Sequence, residues 1–353
     1  AEFAYDVSPD TTLSVNALYA DDSVEVILES EPAELERVVS KTSNAQLWIQ
    51  LDNRWSEELS SQMVLSAVSF QNRRKGSLGD EEKIVASVYD DREAEHFSFR
   101  QDFTLNKGDR HLVQWGLQVA YADAEYDYRN SAEYFGLQAL FEGQEESESL
   151  ALSAAPDGAS YSLYFSDRWK VSGKSILEWG LRWDDQTYPE LSSDSQLSPR
   201  LNFMRTLGPK TELRLSWGRY HQPQQIHELQ IEDGITTFWP AQRADHYIVG
   251  LRRLFKDKYS LRVEAFHKDM QQVRPRFENL YDPLGLIPEI QPDRVRLDPA
   301  SAQSRGLEVS LDRSDGPLTW WATYVLSEVT DEINGRDELR SWDQRHAFQG
   351  GVS

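Results

Sequence analysis

A bulky apolar side chain at every second position, with a small or polar one between, runs through two adjoining stretches, 161–169 and 175–183, and no other feature restricts the fold so tightly. Leu163, Phe165 and Trp169 share one face of the first arm, against Ser162, Ser166 and Arg168. In the second, Leu177, Trp179, Leu181 and Trp183 oppose Glu178, Gly180, Arg182 and Asp184. Period two marks a β-strand, because successive side chains leave a strand on opposite faces. The residues between, Lys170-Val-Ser-Gly-Lys174, are mostly small or polar and include a glycine, so the arms pair antiparallel as a hairpin. Each arm has roughly the 9–11 residues that a tilted strand needs to cross the apolar layer of a bilayer. One apolar face per strand predicts lipid outside and water inside.

The same unit recurs along the chain. Arms are expected at about 1–7 and 11–20 around Ser8-Pro-Asp10, 43–54 and 59–70 around Trp55-Ser-Glu-Glu58, and 95–105 and 111–122 around Asn106-Lys-Gly-Asp-Arg110. Further pairs are 198–205 with 211–221 around Leu207-Gly-Pro-Lys210, 244–254 with 259–269 around Lys256-Asp-Lys258, and 304–312 with 318–327 around Ser314-Asp-Gly-Pro317. A lone arm, 345–353, ends the sequence. The cleanest alternation sets Val113, Trp115, Leu117, Val119 and Tyr121 against Gln114, Gly116 and Gln118, whereas 59–70 carries apolar residues on both faces. Links inside hairpins are a few residues long, and links between hairpins run from about ten to over thirty. Short and long alternate, as in an up-and-down barrel with tight turns on one rim and long loops on the other. Trp55, Trp169 and Tyr259 lie beside tight turns and Tyr19, Tyr121 and Trp183 near the long links, which predicts two aromatic girdles; ordinary buried core aromatics are the alternative.

Composition narrows the function. The chain has 353 residues, a formal charge of −22 and a pI near 4.7, which argues against a nucleic-acid partner, since phosphates call for a basic face. Eleven Trp, fifteen Tyr and fourteen Phe on so polar a chain suit an outer-membrane barrel better than a soluble enzyme. With no cysteine, disulfides, zinc-thiolate sites and Cys nucleophiles are excluded. No run approaches 18 apolar residues, which excludes a transmembrane helix but not a barrel. Residues 1–7 already look like a strand, so a signal peptide is expected to be absent from this chain, through processing or because an N-terminal part is missing. Fifteen arms cannot close a bacterial single-chain barrel, which takes an even number. An all-β antiparallel up-and-down transmembrane barrel segment, 1–353, with some terminal strands absent, is the fold expected.

Several stretches carry a family resemblance. Tyr164-Phe-Ser-Asp-Arg-Trp-Lys170 with Trp179-Gly-Leu-Arg-Trp-Asp184, Leu197-Ser-Pro-Arg-Leu201 with Leu213-Arg-Leu-Ser-Trp-Gly-Arg-Tyr-His-Gln-Pro223, and Ser304-Arg-Gly-Leu-Glu-Val309 with Trp321-Ala-Thr-Tyr-Val-Leu-Ser327 and Asp343-Gln-Arg-His-Ala-Phe348 follow one another in order. Together they resemble the barrel of TonB-dependent outer-membrane receptors over about 160–350, while 1–155 adds only the pattern. The resemblance implies a barrel of about 22 strands around an N-terminal plug. It also implies an outer-membrane location, uptake of a scarce nutrient, and a TonB-type energy-coupling partner that pulls on the plug. The sequence departs from the family in showing no plug, no energy-coupling box near Ala1 and no terminal strand ending in an aromatic residue.

Catalytic chemistry is not in evidence. No nucleophile elbow, phosphate loop or metal-protease motif occurs, so neither an enzyme nor a cofactor is expected. His221 and His227, six apart, do not have a standard metal spacing and are expected to be polar loop histidines. Asp123-Ala-Glu-Tyr-Asp127 lacks the glycine and terminal glutamate of a calcium loop and is expected to be a solvated strand end. The stretches 21–42 and 123–149, read as long outer links, hold seven acidic against two basic and eight against one; a solvated face is expected, with divalent-cation bridges to lipopolysaccharide or binding of a cationic ligand the alternatives. Ligand contacts are expected at Tyr220, His221, Trp239, Arg243, Arg276, Tyr281, Trp342 and Arg345, whose guanidinium and aromatic faces suit an anionic chelate or a sugar. Pro283, Pro288, Pro292 and Pro299 stiffen the loops around them. Siderophore, cobalamin, oligosaccharide and peptide all remain open as ligands. Two rivals also stand: a passive porin-like barrel, and a soluble secreted β-sandwich or propeller enzyme acting on polysaccharide, which would bury Leu177, Trp179 and Leu181 in a core.

Overall fold

The structure, a computed structural model, describes residues 1–31, 34–80, 82–136, 138–140, 147–189, 196–256, 258–281 and 284–352. Its strands in chain order are β1 (Glu2–Ser8), β2 (Thr11–Glu31), β3 (Glu34–Arg54), β4 (Leu59–Asp80), β5 (Ile84–Lys107), β6 (His111–Tyr134), β7 (Ser147–Ala154), β8 (Asp157–Ser172), β9 (Ser175–Gln186) and β10 (Gln196–Gly208). They continue with β11 (Thr211–Gln222), β12 (Gln242–Phe255), β13 (Tyr259–Gln271), β14 (Arg276–Asn279), β15 (Arg294–Leu297), β16 (Ser301–Arg313), β17 (Trp320–Ile333), β18 (Arg336–Leu339) and β19 (His346–Val352). Seventeen of them form one antiparallel sheet that meanders in chain order from the edge strand β1 to the edge strand β19, and β14 pairs with β15 apart from it.

The arm count read from the sequence survives, because two arms are each broken into two strands. β7 and β8 both lie on β6 in one continuous register, interrupted where Pro156 has no N–H to give to the ladder. β18 and β19 both lie on β17, with the register shifted between them by the irregular segment 340–345. The tight turns fall where expected, although Asp257 in one of them lies outside the described residues.

The sheet's two faces differ as the alternation predicts. Leu163, Phe165, Trp169, Trp179 and Leu181 are exposed on the outer face, Trp179 to 42 %. The intervening positions are polar and bonded to one another: Arg182 grips Asp184 at 2.7 Å, Ser162 donates to Asp184 at 2.6 Å, and the Tyr164 hydroxyl donates to Asp102 at 2.6 Å. Trp115 stacks on Phe103 of the next strand at 5.2 Å, and neither it, Leu177 nor Leu213 belongs to the buried core. A sandwich with those residues packed inside is ruled out. The ladder resolves the ambiguous arm 59–70, placing Leu65 opposite Ile49 on the outer face and Val64 on the inner.

Aromatic residues gather at both ends of this apolar zone. Trp55 and Trp169 are exposed near the tight turns, where Phe255 stacks on Tyr259 at 5.4 Å and Tyr259 meets Trp320 at 6.3 Å; Tyr19 and Tyr121 are exposed at the far end. Trp183 is partly covered. Along β6 the outer apolar zone runs from Val113 to Tyr121. Nine residues at about 3.4 Å, tilted by about 40°, give roughly 23 Å, close to the apolar band of a transmembrane barrel.

Beyond that zone the strands do not stop, and the expected long links are corrected accordingly. Residues 21–31 and 34–42 form the far half of the β2–β3 hairpin, 71–80 and 84–94 that of β4–β5, and 123–134 extends β6, while 137 and 141–146 of the stretch 123–149 lie outside the described residues. Pairing across these stretches satisfies the backbone whatever the side chains are, so the strands persist where alternating hydrophobicity does not demand them. The polarity there is inverted. On β6, Asp123, Glu125, Asp127, Arg129 and Glu133 take the outer positions, and Ala122, Ala124, Tyr126, Tyr128, Ala132 and Tyr134 the inner, buried ones. β5 inverts at the same level, with Phe97, Phe99 and Phe103 outside below it and Ala86, Val88 and Ala94 inside above.

Candidate functional site

The inverted inner face is apolar because two loops fold onto it. The β11–β12 loop, 223–241, supplies Ile226, Leu229, Ile231 and Phe238, and the β13–β16 loop, 272–300, supplies Ile287 and Ile290. They form a core with Leu78, Ile84, Val88, Tyr126, Tyr128 and Tyr134 of the wall. The second loop is given shape by the β14–β15 ribbon and by a turn of 3₁₀-helix that starts at Pro288. Pro292 and Pro299 lie in this loop, whereas Pro283 is outside the described residues.

Polar groups in this core are tethered. The Tyr126 hydroxyl donates to the Ile226 carbonyl at 2.8 Å and accepts the Leu229 N–H at 3.2 Å; Tyr134 donates to the Ile290 carbonyl and Tyr188 to that of Gln224, both at 2.8 Å. The Leu286 N–H is held by the Glu36 carboxylate at 2.9 Å. Burial pushes the Tyr126 and Tyr188 phenols up to about 12. Charges come in compensated sets, as burial requires. Arg92 bonds Asp90 at 2.8 Å on the wall and Glu232 at 2.6 Å on the first loop, Arg74 joins Glu289 of the second loop, and Arg294 clasps Asp233 through two bonds of 2.6 and 2.7 Å, tying loop to loop. Burial works against the Arg92 charge, but Asp90 and Glu232 outweigh it and hold the guanidinium above its ordinary value.

The residues expected to meet a ligand fall into separate places. Tyr220 and His221 end β11, and Arg243 on β12 stands opposite His221. The Tyr220 ring folds back over Gly218, where a β-carbon would lie 2.9 Å from it, and is flanked by Arg200 and His246, each 4.6 Å away. His221 Nδ1 is 3.0 Å from the Ser198 hydroxyl, and burial beside Arg219 and Arg243 holds its imidazole below the ordinary value. Arg243 bonds the Gln271 amide oxygen. Arg276 lies 5.2 Å over the Trp342 ring, with Arg340 at 5.7 Å, and both arginines reach the buried Asp331, at 2.7 and 2.8 Å. Trp239 sits 5.7 Å from Arg296, Tyr281 is 75 % exposed, and Arg345 pairs with Glu328 at 2.7 Å. The geometry thus joins His221 with Arg243, and separately Arg276 with Trp342, while Tyr220, next to His221 in the strand, packs with Arg200 and His246 instead. The guanidinium charges of Arg276 and Arg345 are met by the protein's own carboxylates.

The wall residues Arg74, Asp90, Arg92, Tyr126, Tyr128 and Tyr134 escaped the sequence reading. A signal was available for the three tyrosines: apolar and aromatic residues at most even positions of 122–134 against charged ones at most odd positions, the reverse of 113–121. Under the 223–241 loop a cavity of about 360 Å³ remains, lined by wall residues that include Phe70, Ala94, Ala122 and Gly158, together with His96, Tyr188 and His227. Asp123-Ala-Glu-Tyr-Asp127 is strand, its Asp127 paired with Arg129 at 2.8 Å.

Comparison with known proteins agrees with this architecture. The family model "TonB dependent receptor-like, beta-barrel" matches residues 5–347, and no curated protein matches the chain by sequence. Among solved structures, the ferric citrate transporter FecA in its unliganded form is 11 % identical with a TM-score of 0.58, the match covering 99 % of this chain and 59 % of that one. BauA, the ferric preacinetobactin receptor from Acinetobacter baumannii, is 12 % identical with a TM-score of 0.58, covering 98 % and 56 %. The RagAB peptide importer is 10 % identical with a TM-score of 0.57, covering 96 % and 46 %. At such identities the likeness is one of fold, and the chain spans about half the length of these proteins. The chain belongs to the TonB-dependent receptor-like β-barrel family.

Proposed function

We propose that the chain is the larger part of the wall and the outer vestibule of an outer-membrane receptor that imports a scarce nutrient. Membership of the family supports energisation by a TonB-type protein acting through a plug carried elsewhere in the same protein. The observation that carries the reading is the polarity change along β4–β6: an apolar outer belt sized for a bilayer, surmounted by a wall whose inner face holds two ordered loops over the lumen. Such loops narrow the entrance, as a selective receptor needs and a passive porin does not. Tyr220, His221 and Arg243, with Arg276, Trp342, Trp239, Tyr281 and Arg345 on the loops and strand ends, are the ligand contacts in this reading, and the acidic outer face meets lipopolysaccharide and solvent.

Uptake in cells tests it. Strains with and without the gene would be given radiolabelled ferric siderophores, cobalamin, oligosaccharides and peptides, with and without a protonophore. Accumulation of one class that needs the gene and stops with the protonophore is the expected result; gene-dependent equilibration indifferent to the protonophore would make the protein a porin.

A further inference from the structure

The cavity under the 223–241 loop has a floor that the sequence builds from five adjacent strands. Three rows of inner-face residues run across the sheet and line it: Asn44, Phe70, Ala94; then Val68, His96, Ala122, Gly158; then Ala120 and Ser160. Above these rows the inner face carries Tyr126 and Tyr128 against the loops, and below them Gln114 and Gln118. At the level where the polarity inverts, Ala94, Ala120, Ala122, Gly158 and Ser160 of β5, β6 and β8 are small enough to leave open space with a mainly apolar lining, whereas the space lower on the same face is lined by Asp52, Gln62, Arg100, Asp102 and Gln114 and is polar. Gly158 is part of the design: a β-carbon there would fall 3.0 Å from Cβ of Tyr188, whose ring closes one side while its hydroxyl holds the first loop. Ile226 and His227 of that loop form the roof, fixed from the wall by Tyr126.

The chemistry of the space is specific. Its walls are mainly carbon, and its volume of about 360 Å³ lies in the range of small-molecule sites. Ala, Gly and Ser on strands about 4.8 Å apart make a flat floor about 10 Å wide, the width of a fused pair of rings. His96 rises from the floor and His227 descends from the roof. An imidazole has at least one N–H donor in either charge state. Glu95 also borders the cavity, but its place in the alternation turns its carboxylate to the exposed outer face, so no carboxylate opposes an acceptor here.

We infer that this cavity binds a flat, fused-ring aromatic group bearing a carboxylate or carbonyl acceptor, laid on the alanine floor with its acceptor toward His96 and His227. The inference rests on the receptor reading above and names the part of the imported molecule that the vestibule grips. Naphthalene-2-carboxylate is a suitable probe, titrated by calorimetry into the full-length receptor reconstituted in nanodiscs. Expected are saturable binding, a loss of at least tenfold in affinity in Ala122→Leu, which fills the floor, and a loss of several-fold in His227→Gln, on a loop whose change leaves the wall intact. Naphthalene-2-methanol, without the acidic acceptor, should bind more weakly than the carboxylate to the unsubstituted protein and be less sensitive to His227→Gln. No saturable binding by the folded protein, or equal affinity in both variants, would overturn the inference. If either occurs while energised nutrient uptake persists, the site assignment fails and the receptor reading stands; if uptake itself is absent, the receptor reading fails.

Discussion

Two halves of one strand teach opposite lessons. From Val113 to Tyr121, β6 shows its apolar residues outward and its polar ones inward; from Ala122 to Tyr134 it does the reverse, without a break in the ladder or a change in secondary structure. The backbone is the same and the solvent differs. In the proposed receptor the outside of the lower half is hydrocarbon, so every outward charge would lose hydration and the inside can stay wet. In the upper half the outside is water and the inside is covered by loops 223–241 and 272–300, so the hydrophobic effect acts inward, as in an ordinary soluble protein. The position of the inversion, near Tyr19, Phe97 and Tyr121, is where we place the outer membrane surface.

This comparison makes mutations with the same chemistry behave differently in the two halves. The largest effect is expected from Arg92→Ala, which takes from Glu232 its partner on the wall and leaves Asp90 with Arg74 alone; breaking a buried pair costs about 3–5 kcal/mol, and hydrogen exchange should report it as undocking of 223–241 while the belt stays protected. Trp179→Arg, on the lipid face, should cost roughly 2–4 kcal/mol in denaturant unfolding from bilayers, and an unchanged midpoint would break the assignment of that face. Tyr126→Phe should cost about 1–3 kcal/mol of loop docking, because the Ile226 carbonyl loses its donor. The same tethers carry a pH dependence. Phenols whose pKa rises on docking, from 10.0 to about 12 for Tyr126 and Tyr188, give their full contribution below 10 and lose it as pH climbs through 12. Proteolysis of the 223–241 loop should therefore accelerate across that interval, and less so in Tyr126→Phe. The smallest effect, within about 0.5 kcal/mol, is expected for Ser131→Arg, an outward position above the inversion where a cation meets water.

The fold was largely legible in the sequence because the belt obeys a simple rule: Leu163, Phe165, Trp179 and Leu181 had to alternate with polar residues to satisfy lipid and lumen together, and tight turns had to sit between them. What was misread lay above the belt. There the outer positions Asp123, Glu125 and Asp127 dominated the composition of the stretch, and the count of charge hid the buried parity of Ala124, Tyr126 and Tyr128. The site was less legible still. Arg276 and Trp342 do meet, but through a bulge in register between β18 and β19 that no local pattern announces. Arg74 with Glu289, and Arg92 with Glu232, are separated by more than a hundred residues, and only the folding of the loops back across the sheet brings them together.

These 353 residues contain no cysteine to be replaced before the decisive measurement, a single-cysteine scan of β6 from 113 to 133 in bilayers, each site labelled with bimane and tested for quenching by brominated lipid and by aqueous iodide. Lipid quenching at odd positions from 113 to 121, iodide quenching at odd positions from 125 to 133, and protection from both at 124, 126 and 128 is the predicted pattern. Lipid quenching that continued through 125–133, or sites 115–119 shielded from lipid, would contradict it.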